Sequence, residues 1–119
     1  MERISTLFIC SIVFIGSAYS QKPKDGIYEY SIAFAEWGGK SLGATCQVKI
    51  KGDSIYVIHD GSVTGTRGEI MDAGVIMKHK RTGKWIIGHS RKDIFAKEIG
   101  GCGEGPNIID FKKKTWSSC

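Results

Sequence analysis

Apolar and polar side chains alternate strictly over residues 27–35, which is the clearest pattern in the chain. The even-numbered positions are Tyr28, Tyr30, Ile32 and Phe34, and the odd-numbered positions that alternate with them are Glu29, Ser31, Ala33 and Ala35. A period of two is typical of a β-strand with one buried face. A glycine-rich connection over 36–43 leads to a second alternating segment at 44–51, whose inward positions are Cys46, Val48 and Ile50. The pattern therefore predicts two strands joined by a loop.

A third strand and a long polar loop follow. Residues 51–54 have the composition of a tight turn, and 55–59 form an apolar segment, so 44–59 are expected to be a hairpin. Residues 60–68 are polar and rich in glycine, which predicts a loop. A strand is expected from about Glu69, with a bulge at Gly74.

Two apolar segments, 75–77 and 85–87, flank a basic turn-forming segment and predict a central hairpin. With Thr82 and Gly83 at its tip, the expected pairs are Arg81 with Lys84, Lys80 with Trp85, Lys78 with Ile87 and Ile76 with His89. Ile76, Trp85 and Ile87 then share one face, and Val75, Met77 and Ile86 share the other. Because both faces are apolar, the hairpin is expected inside a curved or two-layered sheet.

The last third of the chain predicts a short helix and one more strand. Ser90 is a helix cap with Asp93 three residues later, which favours a helix near residues 91–99 that ends at Gly100. A glycine loop at 100–106 precedes a last strand that runs from 107 through Trp116. The fold class is thus mainly β: an antiparallel meander of about six strands, forming a small barrel or sandwich with one short helix.

The first twenty residues have the features of a secretory signal peptide. A short apolar core at 7–15 is followed by small residues and a polar break after Ser20. Its removal would leave residues 21–119, enough chain for a single β domain and too little for two. A membrane anchor needs about 20 apolar residues, more than this core offers, and no second apolar span follows it. We therefore expect cleavage near Ser20 and a periplasmic or extracellular protein without a transmembrane segment.

Three cysteines remain after that cleavage, and an oxidising compartment favours one disulfide among them. A continuous strand from 107 to 116 would carry Cys119 roughly 30 Å away from Pro106, at about 3.3 Å per residue. Unless residues 112–114 reverse the chain, Cys119 cannot reach Cys102. Alternating strand directions place Cys46 near Cys102, so the expected disulfide is Cys46–Cys102, with Cys119 a free or intermolecular thiol.

The chain has a formal net charge of +5. Behind a signal peptide, a basic protein is expected to meet acidic proteins, glycans or anionic lipids, and not nucleic acid. His79 and His89 lie on opposite faces of the predicted hairpin, and no metal-binding spacing of cysteine or histidine occurs. The sequence therefore predicts neither a metal nor a cofactor. No catalytic residue is assigned, because no nucleophile motif is visible.

Six residues are candidates for contact with a partner or ligand. Four form the basic tip of the central hairpin, and the others are an aromatic residue beside two glycines and an acid in the glycine loop: Lys78, Lys80, Arg81, Lys84, Trp37 and Glu104. The basic tip is interpreted either as a protruding finger that docks on an acidic partner or as a lysine-guarded sheet edge. Trp37, Tyr28 and Tyr30 either line a ligand cavity or fill a small core.

The outline of a signal peptide followed by a disulfide-bearing β domain is similar to small periplasmic inhibitor proteins and to compact lipocalin-like modules. This resemblance is one of architecture and transfers no residue roles. Three hypotheses follow: an exported, non-catalytic binding module that engages a protein or envelope component, a carrier of a small apolar ligand, and an unrecognised enzyme. They predict, respectively, a filled interior with exposed contact loops, a continuous apolar cavity, and a cleft where an acid and a histidine converge.

Overall fold

A computed structural model describes residues 21–119, in which seven strands and two short 3₁₀ turns follow one another. The strands are β1 (Gly26–Phe34), β2 (Thr45–Lys51), β3 (Ser54–His59), β4 (Ile70–Lys78), β5 (Trp85–Gly88), β6 (Ile109–Asp110) and β7 (Thr115–Ser118). The 3₁₀ turns cover Ala35–Trp37 and Arg91–Phe95. The predicted signal peptide, residues 1–20, lies outside the described residues.

All seven strands belong to one sheet, in the order β5-β4-β3-β2-β1-β7-β6. The two outer strands approach each other through a bridge between Ile86 and Ile108, and the Ile87 N–H donates to the Asn107 carbonyl at 3.0 Å. The sheet is therefore nearly closed into a barrel, and the predicted mainly β small barrel is confirmed. It is a mixed sheet and not purely antiparallel, since β7 runs parallel to β1.

The inward positions of the first two alternating segments form much of the core. Tyr30 and Ile32 of β1 are buried, and so are Cys46, Val48 and Ile50 of β2. The remaining buried apolar members of the same cluster are Ala44, Ile55, Val57, Ile76, Ile87, Ile109 and Trp116. Burial of these side chains supplies the main apolar driving force for closing the sheet on itself.

The pairing of β4 and β5 differs from the predicted register. Lys78 pairs with Trp85 and Ile76 with Ile87, so the connecting loop covers residues 79–84 instead of the two-residue tip at 82–83. The cause is His79, which is buried in the loop and bonded there instead of extending the strand. The observed register differs from the predicted one by two residues. Because side chains alternate with a period of two, each residue still lies on its predicted face of the hairpin. The register irregularity in β4 lies opposite Val57 and Ile58, whereas Gly74 allows close approach of the Gly88 carbonyl.

The predicted helix at 91–99 is a 3₁₀ turn that ends at Phe95. Ser90 does cap it, because its side chain accepts a hydrogen bond from the Lys92 N–H at 3.1 Å. The turn does not continue because carbonyls that a longer helix would use are engaged elsewhere. Ile94 O accepts the Lys80 N–H at 2.9 Å, and Ala96 O contacts the His79 ring at 2.7 Å.

The predicted Cys46–Cys102 disulfide is wrong. Cys102 is bonded to Cys119, with Cα atoms 4.8 Å apart, and Cys46 is a buried free thiol. The predicted last strand is in fact β6 and β7, paired antiparallel around a turn at residues 111–114. Lys114 takes the left-handed conformation there, with φ 57°. The chain thus reverses, and its end returns to the end of the sheet where the glycine loop lies.

Candidate functional site

Exposed cationic side chains gather at one end of the barrel. The β4–β5 hairpin supplies Lys78, Lys80, Arg81 and Lys84, and the β6–β7 turn supplies Lys112, Lys113 and Lys114. We call these seven residues the basic rim. Trp85 and Phe111 join its two halves, since their ring centroids lie 5.7 Å apart. They meet across the barrel seam, which is the line along which the outer strands β5 and β6 approach each other. Lys78 Nζ also lies 5.1 Å from the centroid of the Trp85 ring, within the range of a cation–π interaction.

The hairpin half of the basic rim is folded back onto the chain and does not protrude as a finger. His79 is 1% exposed, and its ring contacts Thr82 Oγ1 at 2.9 Å and the Ala96 carbonyl at 2.7 Å. Arg81 Nη2 donates to the Lys97 carbonyl at 2.7 Å. These contacts fix the loop against the segment that follows the second 3₁₀ turn. The backbone that carries the lysines of this half is therefore held in one position.

The turn half is shaped by Asp110. One oxygen of its carboxylate accepts the backbone N–H groups of Lys112 at 3.0 Å and Lys113 at 2.9 Å. The carbonyl of Lys114 accepts the N–H of Ser31, which fastens the turn to β1. Because these bonds use main-chain atoms of the lysines, all three side chains are exposed. Sequence reasoning did not place this half in the site, although the run of three lysines was its signal.

The other two predicted contact residues lie elsewhere. Trp37 is 48% exposed and packs at a tilt against Phe34, with ring centroids 4.8 Å apart. It lies beyond the carboxyl end of β1 and so at the opposite end of the barrel from the basic rim. Glu104 is exposed in the glycine loop beside the Cys102–Cys119 disulfide, at that same opposite end. The structure therefore brings together four of the six predicted residues.

The three aromatic residues considered for a ligand cavity do not line one space. Tyr30 is buried in the core, and Tyr28 packs against that core from a half-buried position. Phe34, which Trp37 contacts, lies six residues beyond Tyr28 on the same strand, a distance of about 20 Å. The barrel interior around Tyr30 is occupied by packed side chains.

A groove of about 340 Å³ lies on the outer side of β1 and β2. It is lined by Ile27, Tyr28, Glu29, Gln47, Asp60 and Arg67. Slight burial tends to raise the pKa of Asp60, but hydrogen bonds from Thr45 and Ser62 outweigh this effect and hold that pKa below its usual value. The groove is thus polar and charged, unlike the apolar cavity of a lipid carrier.

An acid and a histidine do converge, at a place that the sequence did not indicate. Asp72 of β4 is 8% exposed, and its carboxylate accepts a hydrogen bond from His89 Nε2 at 2.9 Å. Asn107 Nδ2 donates to it at 2.8 Å and Trp116 Nε1 at 3.3 Å. The Ala73 N–H completes the set at 2.9 Å. Four donors thus meet one buried carboxylate, which links β4 to the segments on both sides of the barrel seam.

Cys46 and His59 are cross-strand partners on β2 and β3, and both are buried. Burial raises the pKa of the Cys46 thiol to about 12, with a smaller contribution from Asp60, so the thiol is protonated at neutral pH. His59 accepts the Gly61 N–H at Nδ1, while its buried Nε2 has no hydrogen-bond partner among the described residues. A protonated, inaccessible thiol does not provide the thiolate that nucleophilic catalysis needs.

We predict that Cys46 resists alkylation in the folded protein. Its iodoacetamide reaction at neutral pH should be at least about 1000-fold slower than that of an exposed thiol, because both access and thiolate are lacking. Timed alkylation followed by peptide mass spectrometry measures this rate. The control is the same reaction in denaturant, where Cys46 should be modified readily. Fast labelling of the native thiol would show that the barrel opens at β2.

Within residues 21–119, no three His, Cys, Asp or Glu side chains come together as a group that could hold a metal ion. In the same part of the chain, no helix has the length and apolar character needed to cross a membrane. Comparison with family models, with curated proteins and with solved structures found no match to this chain.

Proposed function

We propose that this protein is an exported, non-catalytic binding module that engages an anionic protein or envelope component through the basic rim. The observation that carries the proposal is the meeting of two basic segments, distant in sequence, at one end of the barrel through Trp85 and Phe111. Among the described residues, Lys80, Lys84 and the three turn lysines form no salt bridge with a carboxylate. Their charges therefore act outward on a partner.

Export is the second part of the proposal. A Cys102–Cys119 disulfide supports it, since disulfides persist mainly in oxidising compartments. The predicted signal peptide at residues 1–20 supports it independently. In the periplasm or outside the cell, the anionic surfaces within reach are those of envelope components and acidic proteins.

The two alternatives have less support. Among the described residues, packed side chains fill the interior around Tyr30 and Ile32, which does not favour the apolar cavity that the carrier hypothesis requires. The contact between Asp72 and His89 is the feature that favours an enzyme, because an acid can orient a histidine as a base. The Asp72 carboxylate, however, also accepts from Ala73, Asn107 and Trp116, which suits a buried structural link across the seam.

The proposal predicts binding to a polyanion that depends on the position of the lysines and not only on net charge. The probe is immobilised polyglutamate, and the protein is purified without reductant. Replacing Lys112, Lys113 and Lys114 together by glutamine should lower affinity about 100-fold, since a charge close to an anionic surface contributes roughly 1 kcal/mol. Surface plasmon resonance over a range of ionic strength measures this loss.

The matched control removes three positive charges outside the basic rim, by glutamine substitution at Lys40, Arg67 and Lys92. All three side chains are exposed, and within residues 21–119 none of them donates a side-chain hydrogen bond or forms a salt bridge. This variant should bind nearly as well as the original protein. Equal losses in the two variants would mean that polyglutamate senses only the overall charge, and the basic rim would not be the binding site.

A further inference from the structure

The amino-acid composition of the basic rim indicates which class of anionic partner it binds. Six of its seven cations are lysines, and the guanidinium of the single arginine, Arg81, is bonded to the chain's own Lys97 carbonyl. Protein–protein interfaces are enriched in arginine and depleted in lysine, because a guanidinium binds a carboxylate in a fixed, bidentate geometry. A lysine ammonium is a mobile point charge that suits many shallow anions with no fixed position.

The shape of the basic rim indicates the same kind of partner. Its two halves are a hairpin loop and a tight turn that stand side by side at a barrel end, and the charged side chains of both are exposed. The groove of about 340 Å³ is lined by other residues, on the outer side of β1 and β2. The rim therefore offers a set of projecting charges, which matches an extended surface better than a single inserted peptide side chain.

The aromatic pair adds an apolar element at the same level. Trp85 and Phe111 are half-buried between the two groups of lysines, with centroids 5.7 Å apart. Tryptophan is favoured at the boundary between lipid headgroups and acyl chains because its ring combines an apolar body with a polar N–H. Clusters of about four to eight lysines or arginines are typical of segments that bind anionic lipids, and the basic rim falls within that range.

We infer that the anionic partner is a layer of anionic lipid headgroups, which the barrel meets end-on with the basic rim. This inference rests on the proposed function, because it specifies the partner of the same site. The lysine ammonium groups lie among the phosphates. The His79 contact with the Ala96 carbonyl holds the backbone of one group, and the Asp110 carboxylate holds the backbone of the other. Attachment is electrostatic and reversible, and it weakens as salt screens the charges.

Vesicle co-sedimentation tests the inference. The disulfide-intact protein is mixed with vesicles of phosphatidylcholine alone or of phosphatidylcholine with phosphatidylglycerol. It should partition onto the anionic vesicles only, and added salt should release it. The Lys112, Lys113 and Lys114 to glutamine variant should partition about 100-fold less, at about a fivefold loss for each lysine near an anionic surface. The Lys40, Arg67 and Lys92 to glutamine variant should partition nearly as the original does.

The outcomes separate this inference from the proposed function. Binding to polyglutamate without binding to anionic vesicles overturns the lipid inference and leaves an acidic protein as the partner. Failure to bind either probe overturns both. Equal loss on vesicles in the two triple variants also overturns the inference, because net charge alone would explain it. If the turn variant is misfolded by circular dichroism, a Lys80 and Lys84 to glutamine variant, with an expected loss of about 25-fold, replaces it.

Discussion

Replacing Asp72 by alanine is expected to lower the free energy of unfolding by about 3–5 kcal/mol. The substitution removes one buried acceptor and leaves the Trp116 and Asn107 donors without their partner. A buried polar group that loses its hydrogen bond retains its desolvation cost, about 1–3 kcal/mol for each group. Urea denaturation followed by tryptophan fluorescence measures the loss, and Trp116 itself reports on the affected region.

Two further variants show whether the hydrogen bonds of the Asp72 carboxylate across the barrel seam are the cause of this loss of stability. Asp72→Asn keeps one oxygen acceptor and should be less harmful than alanine. His89→Gln removes only the most exposed partner, whose side chain is 56% exposed, and should cost about 1 kcal/mol or less. A loss below about 1 kcal/mol for Asp72→Ala would contradict the view that the carboxylate stabilises the barrel seam.

The first three strands could be predicted because their burial is a local property of the chain. In β1, β2 and β3 every second side chain faces the core, so the period of two in the sequence corresponds directly to the two faces of the sheet. Tyr30 and Val48 are buried where the alternation placed them. Register between neighbouring strands then followed from short connections.

Features that depend on distant parts of the chain could not be predicted in this way. His79 has the sequence context of an exposed basic turn, yet Ala96, seventeen residues later, supplies the carbonyl that draws it inside. The turn before β7 likewise depends on Asp110 accepting two backbone N–H groups, and three successive lysines carry no common turn signature. The incorrect disulfide followed from treating that turn as extended strand.

Only the hairpin half of the basic rim could be predicted from the sequence, for the same reason. The lysines of the central hairpin are contiguous in sequence, whereas their meeting with the β6–β7 turn requires barrel closure and the contact between Trp85 and Phe111. Asp72 appears in the sequence as one polar residue in an apolar strand. Only its position opposite the seam, within reach of Asn107 and Trp116, shows why a carboxylate can be buried there.

The Cys102–Cys119 disulfide is expected to contribute about 3 kcal/mol to stability. It closes a loop with a sequence separation of 17 residues, and the entropy that such a crosslink removes from the unfolded chain corresponds to roughly that value. Cys119 follows β7, the strand that pairs with both β1 and β6, so its release also loosens the sheet at this edge. The double substitution to serine, measured by urea denaturation without reductant, tests the prediction.

Cys46→Ala is the matched control, since it removes the remaining described cysteine and leaves the Cys102–Cys119 disulfide intact. Cys46→Ala also loses some stability, because Cys46 is fully buried. The two variants differ in their response to reductant. Dithiothreitol should destabilise Cys46→Ala as much as the original protein and should leave the double serine variant unchanged. If dithiothreitol instead left Cys46→Ala unchanged, the crosslink of the original protein would involve Cys46, and the Cys102–Cys119 pairing would be wrong.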